Sequence, residues 1–446
     1  MTEVKRKAQD FFDVEYLGYA RYVVENRAIP SLVDGFKPSQ RKIAYASHKL
    51  WKTGKEKPMK VFQLGGQAAA ISFFHHGSLD GTIIGMTQGF KNSMPIFQGV
   101  GQFGSLRSPE AGAPRYIGVK FNENFRRLYK DFELTTPKYE EGQEIEPNYF
   151  LPIVPTVLLN GGSGIAVGFA TNILNRNPVD IIDACLTHLS GRKVKKLAPW
   201  INGFYGKVTL VPDTPRSWIF HGDIEVKNTS TVIIKEIPPS WTYEKYETHL
   251  DKLQEKGIIT SYDDESSDRV RYTIKFQRVK LKALIAKKKL VSTLKLQERQ
   301  TENITTLDEN GNLKIFETAE ELLSYFVDFR LGYYTLRKKF LLEKIDRDLF
   351  VIDNRVKFIK AIIEKKLELR NRRRVDIEKD LPSFEIKKYE NSYKYLLDMS
   401  VHSLTKEKWE ELQNKAKGLR AEREKIEKTT PEDFYKKDLR DLKKFI

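Results

Sequence analysis

No stretch limits the fold of this chain more than the run that opens at Leu341. Apolar residues fall there at Leu341, Ile345, Leu349, Ile352, Val356, Ile359, Ile363 and Leu367. Steps of three and four draw one stripe along a helix, the seam of a coiled coil. A second seam runs through Thr405, Trp409, Leu412, Ala416, Leu419 and Ile426, and Pro382 and the aromatic segment Tyr389 to Leu397 lie between the two. Two long helices around a compact insert predict an antiparallel hairpin arm over 326–380 and 403–446, with a dimerising tip at 381–402. An arm of that kind cannot share one core with the rest of the chain. The 446 residues should therefore divide into about three domains.

The chain ahead of the arm alternates helical and strand-like patterns with proline and glycine turns. Residues 8 to 26 place Phe11, Phe12, Tyr16, Tyr19, Tyr22 and Val23 at roughly helical spacing, which predicts an amphipathic opening helix. Next comes N-R-A-I-P-S-L-V-D-G-F-K-P-S-Q-R-K, where Ser39 looks like the N-cap of a helix beginning at Gln40. Arg27, Lys37, Arg41 and Lys42 cluster around that turn, cations placed to meet a phosphate backbone or to form a solvated basic loop. Between Val232 and Phe276 the pattern reads strand, helix, strand.

Charge points to the same partner. Lys and Arg number 77 against 60 Asp and Glu, a net +17, which suits a polyanion, nucleic acid before acidic lipid. Cys185 is the one cysteine and lies in an apolar run, so neither an intramolecular disulfide nor a cysteine-rich zinc site is open to the chain. The start lacks an apolar signal region and no run of about 18 apolar residues occurs. These features predict a cytoplasmic protein with no membrane segment.

G-V-G-Q-F-G at Gly99 to Gly104 matches a dinucleotide fingerprint by letter, but that site needs a helix directly afterwards. Pro109, Gly112 and Pro114 forbid one. The stretch leads instead to A-P-R-Y-I-G-V-K-F, where Ile117, Val119 and Phe121 alternate as a half-buried strand would, with Arg115 and Tyr116 at its mouth. A phenol held beside a guanidinium is chemically able to attack a phosphodiester.

Taken together these motifs resemble the DNA-cleavage core of the type IIA DNA topoisomerases. R-A-I-P-S-L-V-D-G-F-K-P-S-Q-R carries each fixed position of the family's opening pattern: Arg27, Ile29, Pro30, Asp34, Gly35, Lys37, Pro38 and Arg41. F-F-H-H-G, Phe73 to Gly77, is similar to the aromatic-His-His-Gly motif; beyond Gly77 the chain is shorter than the pattern, so the start of the DNA-reading helix near Ser78 stays open. G-Q-F-G and P-R-Y-I resemble the turn and tetrad that present the nucleophile. L-L-N-G-G-S-G-I-A-V-G-F-A-T is similar to the hairpin whose isoleucine wedges between base pairs, although Ile165 could equally be core from local sequence alone. T-T-P-E-D-F-Y-K-K-D-L resembles the closing segment of the eukaryotic core, with Tyr435 where the family has tryptophan.

The resemblance implies an α+β, multidomain protein. Residues 1–29 would be an N-terminal helical arm, 30–150 a winged-helix domain bearing the active-site tyrosine, and 151–325 an α/β tower domain, followed by the coiled-coil arm and its tip. It also implies reversible transesterification through a 5′-phosphotyrosine. Tyr116 would be the nucleophile, Arg115 and Arg41 would stabilise charge on the phosphate, and His75 or His76 would orient or relay a proton. Arg27, Lys37, Lys42, Ser78, Gln102 and Ile165 would contact double-stranded DNA. No G-x-x-x-x-G-K-[ST] loop and no acidic metal motif occur, and Asp346 and Asp348 read as solvated helix face. ATP and Mg²⁺ are therefore expected on a second, ATPase-bearing subunit, with this chain as a homodimer. The missing C-terminal DNA-wrapping domain favours relaxation and decatenation over supercoiling. A non-catalytic architectural DNA-binding dimer of the same fold is the alternative.

Overall fold

Proline decides where the first long helix begins. The computed structural model describes residues 9, 11–51, 57–74 and 77–446. Ahead of that proline, α1 (Leu17–Val23) lies between π-helical turns at Phe11–Tyr16 and Val24–Ala28. Along these turns and α1 the small and branched residues Ala20, Val23 and Val24 are buried, whereas Phe12, Tyr16, Tyr19 and Tyr22 face outward. The helix is where periodicity predicts it, but the aromatic stripe is not its core face. Pro38 then opens α2 (Pro38–Leu50), since a first-turn residue has no N–H to lose. The cap is Lys37 rather than Ser39: the Gln40 side chain accepts from the Lys37 N–H at 2.9 Å and closes the first turn.

Two compact units follow from the chain's contacts, residues 1–330 with 438–446, and residues 331–437. In the first, α2 packs on α3 (Val61–Ile71) and α4 (Asp80–Thr87) beside a small antiparallel sheet. Its strands β1 (Met59–Lys60), β2 (Phe97–Val100) and β3 (Gly118–Phe121) run in the order β1-β3-β2, with Met59 opposite Val119 and Val100 opposite Gly118. Ile117 and Val119 point into the core as the alternation predicts, while Phe121 is half-buried. Behind the sheet, Phe121, Phe125, Tyr129, Phe132 and Phe150 form a continuous aromatic cluster with ring centroids 4.4 to 6.0 Å apart. Each such pair adds about 0.5–1.5 kcal/mol beyond area burial.

Further along, β4 (Gly162–Ile165) and β5 (Ala170–Ile173) form a hairpin. Strands β6 (Lys207–Leu210) and β7 (Ser217–His221) begin a second sheet, and β8 (Asp223–Val226) and β9 (Thr231–Glu236) a third. Helix α5 (Tyr243–Glu255), β10 (Ser261–Asp264), β11 (Tyr272–Lys275) and β12 (Gln297–Thr301) complete them, in the orders β12-β7-β6 and β8-β9-β11-β10. Alternate residues Val232, Ile234, Tyr272 and Ile274 meet Tyr246 and Leu250 of α5 in one buried cluster. The strand, helix and strand read from sequence are β9, α5 and β11; β8 and β10 are short, polar edge strands with little apolar signal. Cys185 is buried, as expected.

Helix α6 (Ala319–Ile363) enters the second unit, where its partner is α7 (Lys406–Lys428). Ile345, Leu349, Ile352 and Ile359 pack with Leu412, Ala416 and Ile426, the two seams predicted. Arg423 pairs with Asp346 and Arg420 with Asp353, so the helices run antiparallel. Asp346, expected as solvated face, thus joins an exposed cross-helix pair, a kind that contributes little to stability. Three seam positions differ, and the first is Ile363, which is exposed at the end of α6. Thr405 caps α7 by accepting from the Lys408 N–H, and Leu367, beyond the end of α6, joins Phe358, Leu381, Ile386, Tyr393 and Leu396 in a separate core. Tyr435, standing where tryptophan was expected, is fully buried and stacks on Tyr334 at 4.4 Å. No helix of the described residues is long and apolar enough to cross a membrane.

Candidate active site

Tyr116 projects from a turn that backbone hydrogen bonds hold on both sides. Pro114 ends the preceding coil, and the Tyr116 and Ile117 N–H groups both donate to Ala113 O, at 2.9 and 3.3 Å. Helix α3 supplies the floor, because its first amides have no partner within the helix. Phe62 N–H donates to Pro114 O at 3.3 Å and Val61 N–H to Ile117 O at 3.2 Å. Lys60 Nζ donates to Tyr116 O at 2.5 Å. The main chain of the tyrosine is pinned while its side chain is free: the residue is 67% exposed. Arg115 is also exposed and lays its guanidinium over the Tyr116 ring, 5.0 Å from the centroid. A cation beside the phenol, with donor groups facing solvent, suits an incoming phosphate.

The basic turn before α2 divides into free and committed cations. Arg27 is exposed and lines, with Lys37, Ser39 and Lys91, a cavity of about 570 Å³. Lys37 is half-buried; burial pulls its ammonium below the usual lysine range, and Nζ donates to Ser163 O at 2.8 Å. That bond ties the opening motif to the β4–β5 hairpin. Arg41 is only 9% exposed, with Nε 2.6 Å from Asp34 Oδ2 and NH2 2.9 Å from Oδ1. Burial works against the charge, yet the Asp34 carboxylate outweighs it and holds the guanidinium above the ordinary arginine range. The expected phosphate ligand is thus turned inward onto a carboxylate. Lys42 is likewise committed, its Nζ 2.9 Å from Glu146 and bonded to Ser72 O.

Ile165, left open between core and wedge, stands 88% exposed at the end of β4. The strand behind it runs so close to the chain at Ala28 that a Cβ on Gly164 would collide with the Ala28 carbonyl. Glycine is needed for this approach, and an apolar side chain is left in water at the tip. Ser78 and Gln102 are exposed; the Ser78 hydroxyl accepts from the Asp80 N–H at 3.1 Å and so satisfies the first amide of α4, whose N-cap is Leu79. His75 and His76 lie outside the described residues. Among the described residues no group of three or more His, Cys, Asp or Glu side chains could hold a metal ion, so the donor set seen here does not fit one. Lys60 was missed by sequence reasoning; its contact spans 56 positions and no local pattern marks it.

Known proteins resemble this chain in sequence and in fold. The family of DNA gyrase/topoisomerase IV A subunits matches residues 27–440. The DNA topoisomerase medium subunit of Enterobacteria phage T4 is 31% identical over 444 residues, covering 98% of this chain and 99% of the phage protein. The mitochondrial DNA topoisomerase 2 of Dictyostelium discoideum is 32% identical over 456 residues, which is 98% of this chain but 35% of that protein. The solved structure of the Plasmodium falciparum topoisomerase II DNA-binding, cleavage and re-ligation domain superposes with a TM-score of 0.85 at 32% identity, covering 98% of this chain and 64% of that one. The chain thus spans about a third of the Dictyostelium relative and nearly all of the phage protein. With a match that runs from Arg27 in the basic turn to Arg440 near the end of the last helix, the chain belongs to the family of DNA gyrase/topoisomerase IV A subunits.

Proposed function

We propose that this chain binds, breaks and rejoins double-stranded DNA for an ATP-dependent type IIA topoisomerase. One observation carries the reading: an exposed phenol on a pinned turn with a guanidinium over its ring, in a member of a topoisomerase family. The Tyr116 hydroxyl attacks a backbone phosphorus. A P–Oη bond forms as the P–O3′ bond breaks, the phenol gives up its proton, and the departing 3′-oxygen takes one up. One phosphodiester replaces another, so resealing by the 3′-hydroxyl needs no nucleotide. A phenol is mostly protonated at neutral pH, and Arg115 supplies the preorganised positive charge for the transition state. His75 or His76 orients the site or carries the proton.

Arg41 has a different part in this reading. Its bonds to Asp34 make it a positioning residue for the turn that carries Lys37, rather than a phosphate ligand. Arg27 and Lys37 meet the DNA backbone from the cavity they share. Ile165, tied to Lys37 through Ser163, unstacks a base step and bends the duplex. Lys42, Ser78 and Gln102 line the approach, Lys42 by fixing the Glu146 side.

Residues 30–150 then act as the winged-helix cleavage domain behind an N-terminal arm at 1–29, 151–325 as the tower, and the helical hairpin with its tip as a gate that closes a homodimer. Two copies place one Tyr116 on each strand. Mg²⁺, which would supply Lewis-acid chemistry when bound, is assigned with ATP to a partner subunit.

Covalent trapping tests this. The protein, a metal- and ATP-binding partner subunit of the same family, labelled supercoiled DNA and Mg²⁺ are mixed and quenched with detergent. Label should stay on this chain and vanish with Tyr116→Phe. Absence of label from a partnered, DNA-binding dimer would sink the enzymatic reading and leave an architectural one; equal label in both would mean another tyrosine reacts.

A further inference from the structure

The segment that leads to Tyr116 is a closed loop with an anchor far from the tyrosine. At its base, Gly112 N–H donates to Gln102 O at 2.9 Å, four residues before Tyr116. Across its middle, Gln88 Nε2 donates to Phe103 O at 2.8 Å and Pro109 O at 3.0 Å. A tight turn closes its tip, where Ser105 N–H donates to Ser108 O at 2.8 Å. Gly104 sits at φ +79°, and a Cβ there would lie 2.7 Å from Pro109 C, so the two sides of the loop approach more closely than any residue but glycine allows.

From that tip Arg107 reaches the chain leaving β9. It is 6% exposed. NH1 donates to Pro238 O and Trp241 O, each at 2.8 Å, and NH2 to Ile237 O at 2.6 Å and Glu236 Oε1 at 2.5 Å. Tyr243 N–H returns a bond to Arg107 O at 3.0 Å. Glu236 is itself held, with Oε2 accepting from the Tyr205 N–H at 3.0 Å.

A buried ion pair is a poor device for stability alone. Its desolvation rivals its attraction, and apolar replacements of similar volume are often neutral or better. Arg107 also leaves Nε buried and unpartnered. What five directed bonds provide is orientation. We propose that Arg107 is a positioning residue for Tyr116, clamping the tip of the 102–112 loop to the end of β9 and so setting the turn from which the phenol projects. The inference rests on Tyr116 being the nucleophile; the clamp itself does not.

The test uses Arg107→Met with Glu236→Met, which removes both charges together and fills the space with adaptable side chains, and Arg107→Lys as a milder variant. Two readouts are taken on the full-length protein. Amide hydrogen exchange at Gly112 and Tyr116 should rise about ten-fold in the double variant, with the seam of α6 and α7 unchanged. The rate of tyrosyl–DNA adduct formation at saturating DNA, with Mg²⁺ and the partner subunit present, should fall on the order of ten- to a hundred-fold, because small misplacements at a reacting centre are that costly. DNA affinity should stay within about two-fold, since no phosphate contact is touched. Arg107→Lys should fall between, as an ammonium cannot span the carbonyls that the guanidinium fork reaches. Unchanged exchange and an unchanged adduct rate in the double variant would overturn the proposal. So would loss of affinity and protection throughout the chain, which would mark Arg107 as merely structural. Should the double variant not fold, Arg107→Lys alone decides by the same two readouts. If wild-type protein forms no adduct, the functional reading fails, while the exchange comparison still decides whether Arg107 positions the turn.

Discussion

Arg41 and Arg115 are the same side chain put to opposite uses. Arg41 is buried, and Asp34 accepts from its Nε and NH2 while also accepting from the Phe36 and Phe150 N–H groups. Arg115 is exposed, and its guanidinium rests on a tyrosine ring. One guanidinium spends its hydrogen bonds on holding the fold; the other keeps its donors for something not yet bound. The contrast shows where internal bonding sits around this site: the buried arginine is committed to the scaffold, and the exposed one beside the tyrosine is not.

The sharpest break in that comparison comes from Asp34→Ala. The substitution leaves the buried Arg41 charge without its carboxylate and strands two amides, and removing one partner of a buried pair costs about 3–5 kcal/mol. Chemical denaturation should show the unit containing α2 losing that much stability, with the helical hairpin unfolding separately and unmoved. An unshifted midpoint would mean that Arg41 is not committed and the contrast is false. Arg115→Ala should do the reverse. Stability should change by less than about 0.5 kcal/mol, as for other exposed sites. The rate of adduct formation should drop about 10²–10³-fold, the usual cost of losing one oxyanion-stabilising group. A variant that cleaves normally would place the transition-state charge elsewhere.

Ile165→Ala extends the comparison to an exposed group that is not charged. That side chain is almost wholly exposed, so the melting temperature should hold. Loss of its apolar surface, about 1.5–3 kcal/mol when fully buried, should instead appear as about ten-fold weaker binding and a smaller bend, read by energy transfer between dyes at the ends of a duplex. An unaltered bend would return Ile165 to an accidental exposure.

Those differences also mark what could be read from the chain. The seams were legible because Ile345, Leu349 and Ile352 sit a helical turn apart and need only each other to be seen; the helix after the basic turn was legible too, but its start lies at Pro38, two residues before the expected Gln40. The cluster Arg27, Lys37, Arg41 and Lys42 was legible as a basic turn but not as four separate fates. Whether a cation is free depends on its acceptors, and Lys42 finds Glu146 104 positions away while Lys37 finds Ser163 126 positions away. Ile165 was ambiguous for the same reason, because exposure is a property of what surrounds a residue. Tyr116 was found through its neighbours in sequence, whereas the groups that hold its turn, Lys60, Val61 and Phe62, come from elsewhere in the chain.

Lys60 lies between the two arginines in kind, and it carries the smallest effect. It is exposed, as Arg115 is, yet its ammonium is spent on a backbone carbonyl, as the Arg41 guanidinium is on Asp34. A hydrogen bond from a charged donor contributes about 1.5–3 kcal/mol where water is excluded and less where it is not. Lys60→Met keeps the aliphatic stem and removes only the donor. Water can then take the place of the ammonium on Tyr116 O, so global stability should fall by less than about 0.5 kcal/mol. The turn should loosen at one of its several bonds, and adduct formation should slow about two- to five-fold, an activation difference below ~1 kcal/mol. A loss as large as that of Arg115→Ala would show that the Lys60 ammonium leaves the carbonyl and joins the phosphate when DNA is bound. No loss at all would show that the amides of α3 hold the turn without it.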